Sequence, residues 1–347
     1  MNKNVNIAID LMGGENAPDK TIEGIELFIK RNKDINDYFF YLFGDTNIIN
    51  EKIKNKSLKN YKLVDTKIIV SDDLPALSAL KKGKGSSMWK CIESQNSLNT
   101  DVSLSAGNTG VLLVMSKMIL KTLDDVDKPA LAGLWPNRKG TNVVLDLGAN
   151  IECNEKNLVD FSEMGAALYQ SLFPNEKAKV ALLNIGSEEI KGTELLKATY
   201  SKLKILDEMG DFKFNGYIEG NHITDGDSNV IVTDGFTGNI ALKTAEGTAN
   251  FLTDNLKKAL SSNFFSKLSS LLSYFPLKKF KNKLDPRKYN GAIFLGLKGP
   301  VVKSHGATDS LGFSYSLDVC YKIAKGQMID KIKLNLGHIK NINNEQK

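Results

Sequence analysis

Residues 102–110 read VSLSAGNTG. Two apolar residues in alternation, Val102 and Leu104, give way to Ser105, Ala106 and Gly107, then to Asn108, Thr109 and Gly110. An apolar run follows from Val111 to Leu120. The pattern predicts a strand, a tight turn and a helix. Backbone N–H groups at such a turn point above the sheet, and a helix N-terminus favours negative charge. Gly107 and Gly110 let a ligand approach the backbone closely. The stretch is therefore either a cradle for a phosphate or carboxylate or an ordinary turn, because one short motif does not separate the two.

The same grammar recurs along the chain. Val5–Met12 reads as a strand that runs into Gly13-Gly14, with Asp19 placed to cap a helix over Lys20–Arg31. Asp10, at the strand end, suits a structural role in orienting loop amides. Phe39–Gly44 and Lys67–Val70 read as further strands. Lys81–Met88, KKGKGSSM, precedes a helix. There Ser86 and Ser87 either belong to a second anion site or cap an exposed basic loop. Ala130–Leu134, Asn142–Leu147, Lys179–Ile185, Phe214–Ile218, Asn229–Thr233 and Ala292–Leu297 complete the apolar strand series. Several of these end in Gly, Asn and Asp, as in Asp146–Asn150 and Asp234–Asn239. Alternating strands and helices imply an α/β fold with a largely parallel sheet and a site along the carboxyl ends of its strands. None of the turns is the dinucleotide fingerprint G-x-G-x-x-G, and none is a Walker A loop.

Composition narrows the class. The 347 residues are 41% hydrophobic and 25% charged, enough for one large domain or two lobes. Three scattered cysteines, Cys91, Cys153 and Cys320, fit neither a disulfide framework nor a zinc site and point to a reducing cytoplasm. No signal peptide or membrane-spanning run is evident. The net charge of +6 is modest and is compatible with an acidic partner or an anionic surface.

Two stretches stand apart. Ala245, Ala249, Leu252, Leu256 and Leu260 share a helical face, and after Ser261–Asn263 the residues Phe264, Phe265, Leu268, Leu271, Leu272 and Phe275 repeat that spacing up to Pro276. With the surrounding lysines this predicts a protruding amphipathic hairpin over 245–283. Its stripe fits a dimer bundle, a docked partner or an anionic membrane. Near the C-terminal end, His305 stands between Lys303 and Asp309 in a glycine-bounded loop ahead of a final helix, which makes it a candidate site residue.

Taken in order and spacing, Asp10–Pro18, Gly85–Met88, Ser103–Gly110, Asp146–Asn150, Asn184–Gly192, Asp234–Asn239, Leu284–Gly291 and Gly299–Gly306 resemble the bacterial phosphate acyltransferase family PlsX. The resemblance covers nearly the whole chain, 1–347, as a single phosphate acyltransferase domain. The chain departs from the family pattern at Gly85, Glu15-Asn16, Ser187 and Thr193. The resemblance implies a Rossmann-like sheet of the isopropylmalate dehydrogenase and phosphate acetyltransferase type. It implies transfer of a long-chain acyl group from acyl carrier protein to inorganic phosphate, giving acyl phosphate for phospholipid synthesis. It further implies a homodimer without cofactor, metal or nucleic acid. Such an enzyme would be cytoplasmic, peripheral at the inner face of the membrane, and would pass its product to a membrane glycerol-3-phosphate acyltransferase.

Within that expectation, phosphate attacks the thioester directly. Lys191, His305 and Asn239 are the expected catalytic residues. Asn108, Thr109, Gly110, Gly238, Ser86, Ser87, Asp146, Asn150, Asp234, Lys303 and Asp309 are expected to bind or orient phosphate and substrate. Phe264, Phe265 and Leu268 are expected to touch a membrane or partner. Two other classes share the fold. A dehydrogenase would want arginine-rich substrate contacts, and only Arg31, Arg138 and Arg287 are present. A non-catalytic acyl-carrier or lipid-binding regulator would bind acyl carrier protein without making acyl phosphate.

Overall fold

A sheet whose strands alternate with helices is what the computed structural model contains. It describes residues 4–54, 56, 58–71, 76–208 and 210–345, without the side chains of 76, 77, 267, 268, 270 and 339–345. Among these residues the strands are β1 (Val5–Asp10), β2 (Tyr38–Gly44), β3 (Tyr61–Asp65), β4 (Val102–Ser105), β5 (Ala130–Pro136), β6 (Thr141–Leu145), β7 (Lys179–Leu183), β8 (Lys213–Ile218), β9 (Val230–Val232), β10 (Ala292–Leu295) and β11 (Val301–Lys303). They form one sheet in the order β3-β2-β1-β4-β11-β10-β5-β6-β9-β7-β8. β1 lies between β2 and β4, with Ile7 beside Phe40 and Val102, and is buried on both faces. That burial is why its sequence is almost continuously apolar rather than alternating.

Three pairings are antiparallel: β10 with β11, β10 with β5, and β5 with β6. The β5–β6 hairpin turns through 137–140, where Asn137 Oδ1 accepts the Lys139 N–H at 2.7 Å. Because of it, β6, β9, β7 and β8 run opposite to β1, β4 and β11. The expected site along one set of carboxyl ends therefore becomes two sets of turns pointing opposite ways along the sheet.

Close packing fixes the helices on the sheet. A Cβ at Gly24 would stand 2.7 Å from the Phe313 ring, and one at Gly165 would stand 2.7 Å from Val230 Cγ1. Helix Asp19–Arg31 thus packs directly on helix Ser310–Lys325, and helix Glu155–Leu172 lies against β9. Each Phe or Leu buried in these seams stabilises the fold by roughly 1.5–3 kcal/mol. Among the described residues no helix is long and apolar enough to cross a membrane.

Several local expectations need correction. The apolar run Lys67–Val70 is not a strand; the third strand is Tyr61–Asp65, and Ile68 and Ile69 are exposed. An edge strand covered on one side carries a mixed pattern, so the neighbouring isoleucines mimic it better than the strand itself. Asp19 does not cap its helix: Pro18 occupies the cap position without a side-chain bond, and Asp19 pairs with Lys52 at 2.6 Å. Pro276 does not end the hairpin run. The break falls at Ser273, and Pro276 sits in the first turn of helix Tyr274–Lys283, where its missing N–H costs nothing. The single final helix is two, Ser310–Lys325 and Met328–Glu345. The hairpin begins earlier than Ala245, in the 27-residue helix Gly235–Ser261.

Candidate active site

The turns after β1, β4 and β11 meet in one cluster. Asp10 is buried at the end of β1, and its Oδ2 accepts the Ser105 hydroxyl at 2.7 Å. Ser105 Oγ in turn accepts the Gly107 N–H at 3.1 Å. A Cβ at Gly13 would lie 2.8 Å from Gly107 N, so only glycine allows these two turns to touch. Two buried lysines reach into the same space. Lys20 Nζ donates to the Gly306 carbonyl at 2.5 Å. Lys303 Nζ donates to the Ala106 carbonyl at 3.1 Å and to the Ser304 carbonyl. Asn108 caps helix Thr109–Leu120 by accepting the Val111 N–H at 3.0 Å, leaving Thr109 and Gly110 exposed at its positive end. Buried ammonium groups, glycine turns and a helix N-terminus together favour negative charge, which makes this cluster a candidate anion site.

His305 stands at the edge of this cluster. Its N–H donates to Asn290 Oδ1 at 2.9 Å, and the Asn290 amide donates to Ser304 Oγ and to the Gly312 carbonyl, each at 2.9 Å. The Leu284–Gly291 segment thus fixes the histidine loop. His305 is solvent-exposed, yet partial desolvation of its ring, then the Lys303 ammonium, lowers the imidazole below its ordinary pKa, which favours the neutral form near pH 7. Its Nδ1 accepts the Ala307 N–H at 3.2 Å. The proton therefore sits on Nε2, which is presented as a donor. Lys243 and Glu246, on the helix that begins in the second cluster, also act on its charge.

The second cluster joins the turns after β6 and β9. Asp146 is buried, and its Oδ1 accepts the N–H groups of Leu131, Gly148 and Ala149 at 3.0–3.1 Å. Its Oδ2 accepts both the N–H and the side-chain amide of Asn150 at 2.8 Å. Burial raises this carboxyl against the pull of these donors. Asp146 and Asn150 thus shape the turn on which helix Gly235–Ser261 begins. A Cβ at Gly238 would stand 1.9 Å from the Asp146 carbonyl, and Asn239 lies over Gly148. Asp234 caps that helix through the Thr237 N–H and hydroxyl, both at 2.8 Å.

The remaining sequence candidates are engaged in contacts of their own. Lys191 pairs with Glu188 at 3.1 Å across its own loop, and its carbonyl accepts from Asn184. Ser86 caps helix Ser87–Ser97 by accepting the Trp89 N–H at 3.2 Å, and both Ser86 and Ser87 are buried. Asp309 caps the helix from Ser310 and holds Arg287 at 2.7 Å. Although burial opposes it, the Gly312 N–H and the guanidinium keep its carboxyl low. Phe264 and Phe265 are exposed far along the hairpin, and the Leu268 side chain lies outside the described residues. Lys20 and Asn290 were missed. A lysine in the first turn of a helix opposes the helix dipole, and that local conflict is the signal at Lys20.

The thiols are poor nucleophiles. Burial pushes Cys91 and Cys320 well above the ordinary thiol range, and burial with the Asp146 charge pushes Cys153 to about 11. Among the described residues no three His, Cys, Asp or Glu side chains converge where they could hold a metal ion.

Residues 5–331 match the family described as "Fatty acid synthesis protein". The phosphate acyltransferase of Pelagibacter ubique is 54% identical over 336 residues, 97% of this chain and 100% of that protein. That of Parvibaculum lavamentivorans is 41% identical over 342 residues, 98% and 93%. Among solved structures, the EutD phosphotransacetylase from Staphylococcus aureus superposes with a TM-score of 0.57 at 15% identity, covering 94% of each chain. A 4-hydroxythreonine-4-phosphate dehydrogenase from Klebsiella pneumoniae gives 0.52 at 9% identity, covering 93% of this chain and 100% of that one. These two share the fold.

Proposed function

Since the chain belongs to the fatty acid synthesis protein family, that of the phosphate acyltransferases, we propose that it moves a long-chain acyl group from acyl carrier protein to inorganic phosphate. The observation that carries this reading is the meeting of buried Lys20 and Lys303 with neutral His305 at the open N-terminus of helix Thr109–Leu120. A phosphate oxygen attacks the thioester carbonyl, a tetrahedral oxyanion forms, and the carbon–sulfur bond breaks. The proton carried by hydrogenphosphate ends on the departing sulfur, relayed through His305 Nε2. The products are acyl phosphate and the free carrier thiol, so the reaction balances without another reactant. The two lysines and the helix end offset the repulsion between phosphate and the developing oxyanion. Asn108, Thr109 and Gly110 supply the remaining contacts of the first cluster, while Gly238 and Asn239 belong to the second cluster and Lys191 is held by Glu188 in its own loop.

The basic flank of the hairpin suits an acidic carrier protein. Its stem suits a second copy of the chain, and its tip suits the anionic inner face of the membrane, where a glycerol-3-phosphate acyltransferase would take the acyl phosphate toward phosphatidic acid. Mixing long-chain acyl carrier protein with phosphate and measuring acyl phosphate and free thiol tests the reaction. Replacing Cys91, Cys153 and Cys320 together by alanine should leave turnover within a few-fold, whereas a folded but inactive triple variant would establish a thiol nucleophile instead. Lys303→Met should lower phosphate use by about one to two orders of magnitude, the equivalent of roughly 1.5–3 kcal/mol for a lost charged contact. Unchanged phosphate kinetics would remove the first cluster from the reaction.

A further inference from the structure

Between the two clusters runs a groove that none of the catalytic assignments uses. It encloses about 350 Å³ and is walled by Leu80, Leu113, Val114 and Met118, with Pro129 and Ala149 opposite. That volume is at the lower end of the roughly 300–1,000 Å³ usual for small-ligand sites. Met118 is 51% exposed, an apolar side chain left without cover. The polar side chains at this space are Asn150, whose amide is already donated to Asp146 and to the Pro129 carbonyl, and Lys117, which is exposed at the rim. The other walls are hydrocarbon, which suits an apolar chain beneath that rim. Leu113, Val114, Lys117 and Met118 lie about one to two and a half turns beyond Thr109 on the same helix. From Thr109 to Met118 the helix rises roughly 13 Å, so the groove leads straight away from the anion site.

We propose that this groove seats the hydrocarbon tail of the acyl donor. The thioester carbonyl then lies at the Asn108–Gly110 end, and the tail runs along Leu113, Val114 and Met118 toward Pro129 and Ala149. This inference rests on the acyl-transfer reading and locates the part of the substrate which that reading leaves unplaced. The Lys117 ammonium lies on the solvent side, where its stem covers the tail.

The test compares carrier-protein thioesters of short, medium and long saturated chains, each with phosphate. In the wild type kcat/KM should rise with chain length, by about fourfold per buried methylene until the groove is full. Val114→Trp, which fills the groove, should cut the long-chain value at least tenfold more than the short-chain one. Met118→Trp, at a half-exposed position that tolerates bulk, should act in the same direction if the first variant folds poorly. Equal losses at all chain lengths in both variants, or an unchanged profile, would overturn the groove. A second readout, fluorescence of cis-parinarate titrated into protein without phosphate, separates this idea from the reaction. A wild type that makes no acyl phosphate, yet binds parinarate in a Val114-dependent way, keeps the groove and contradicts the reaction. A wild type that makes acyl phosphate, with parinarate bound equally in both variants, contradicts the groove and keeps the reaction.

Discussion

Helices Glu155–Leu172 and Gly235–Ser261 both carry apolar residues at helical spacing, and they end in opposite situations. In the first, fifteen of eighteen residues are buried, polar ones included. In the second, Gly235 and Gly238 alone are buried, while Phe251, Leu252 and Phe236 are more than half exposed. Length explains much of the contrast. A 27-residue helix is roughly 40 Å long, and a five-residue strand spans roughly 17 Å. The longer helix overhangs the sheet, and among the described residues its far turns stay exposed. The shorter one is enclosed by the sheet, by helix Glu194–Asp207 and by helix Met328–Glu345. Amphipathic spacing thus reveals that a face will be covered without saying what covers it.

The sharpest test sets Phe161→Ala against Phe251→Ala. Phe161 is fully buried, so its truncation should cost about 3–5 kcal/mol in urea unfolding. Phe251 is 68% exposed, and its truncation should stay within about 0.5 kcal/mol in dilute protein. If Phe251→Ala proves costly, and increasingly so as protein concentration rises, a second copy covers the stem and the contrast between the helices disappears on assembly.

A smaller effect marks the enclosed helix by its acid. Glu163 is fully buried, and among the described residues neither carboxyl oxygen meets a hydrogen-bond partner; the Asn335 amide donates to its backbone carbonyl at 3.3 Å instead. Burial, helped by the charges of Asp211 and Asp160, pushes its carboxyl up to about 8. The folded chain therefore keeps a proton that the unfolded chain releases near pH 4.5. Stability should fall as pH rises from about 4.5 to 8 and level off above, by a few kcal/mol at roughly 1.4 per pH unit. Glu163→Gln should flatten that slope in melts between pH 5 and 9. A slope that survives in the variant would assign it to other groups.

The sequence made the strand–turn–helix alternation plain, because strands buried on both faces are continuously apolar and their turns concentrate Gly, Asn and Asp. It was less informative about direction. The hairpin that reverses the second half of the sheet is a four-residue turn, and no periodicity announces it. It was least informative about chemistry. Ser86, Asn108, Asp234 and Asp309 have the residue types expected of substrate contacts, and all four side chains cap helices. Capping an N-terminus and binding an anion there call for the same short polar residues beside the same open N–H groups, so composition cannot tell them apart. Asn290 was invisible for a different reason: its importance lies in contacts with Ser304, His305 and Gly312, all distant in sequence.

The smallest expected change in stability, and the largest expected change in location, belong to the hairpin tip. Phe264 and Phe265 are 75% and 79% exposed, and their rings meet edge to face at 6.0 Å. Leu271, Leu272 and Phe275 continue the patch at 70–81% exposure. Such a contiguous apolar surface marks an interaction site. Burying one Phe side chain in a lipid interface is favourable by roughly 1.5–3 kcal/mol, and a nearby lysine adds about 1 kcal/mol on anionic lipid, less at high salt. Lys257, Lys258, Lys278 and Lys279 flank the tip in sequence. Phe264→Ser/Phe265→Ser should therefore leave the unfolding free energy within about 0.5 kcal/mol, and salt-sensitive flotation with anionic vesicles should fall sharply. Sedimentation of the same preparation decides between covers. An unchanged oligomer that still floats like wild type contradicts the lipid anchor. An oligomer that dissociates and no longer floats assigns the tip to the contact between copies, and then stem and tip form one continuous interface.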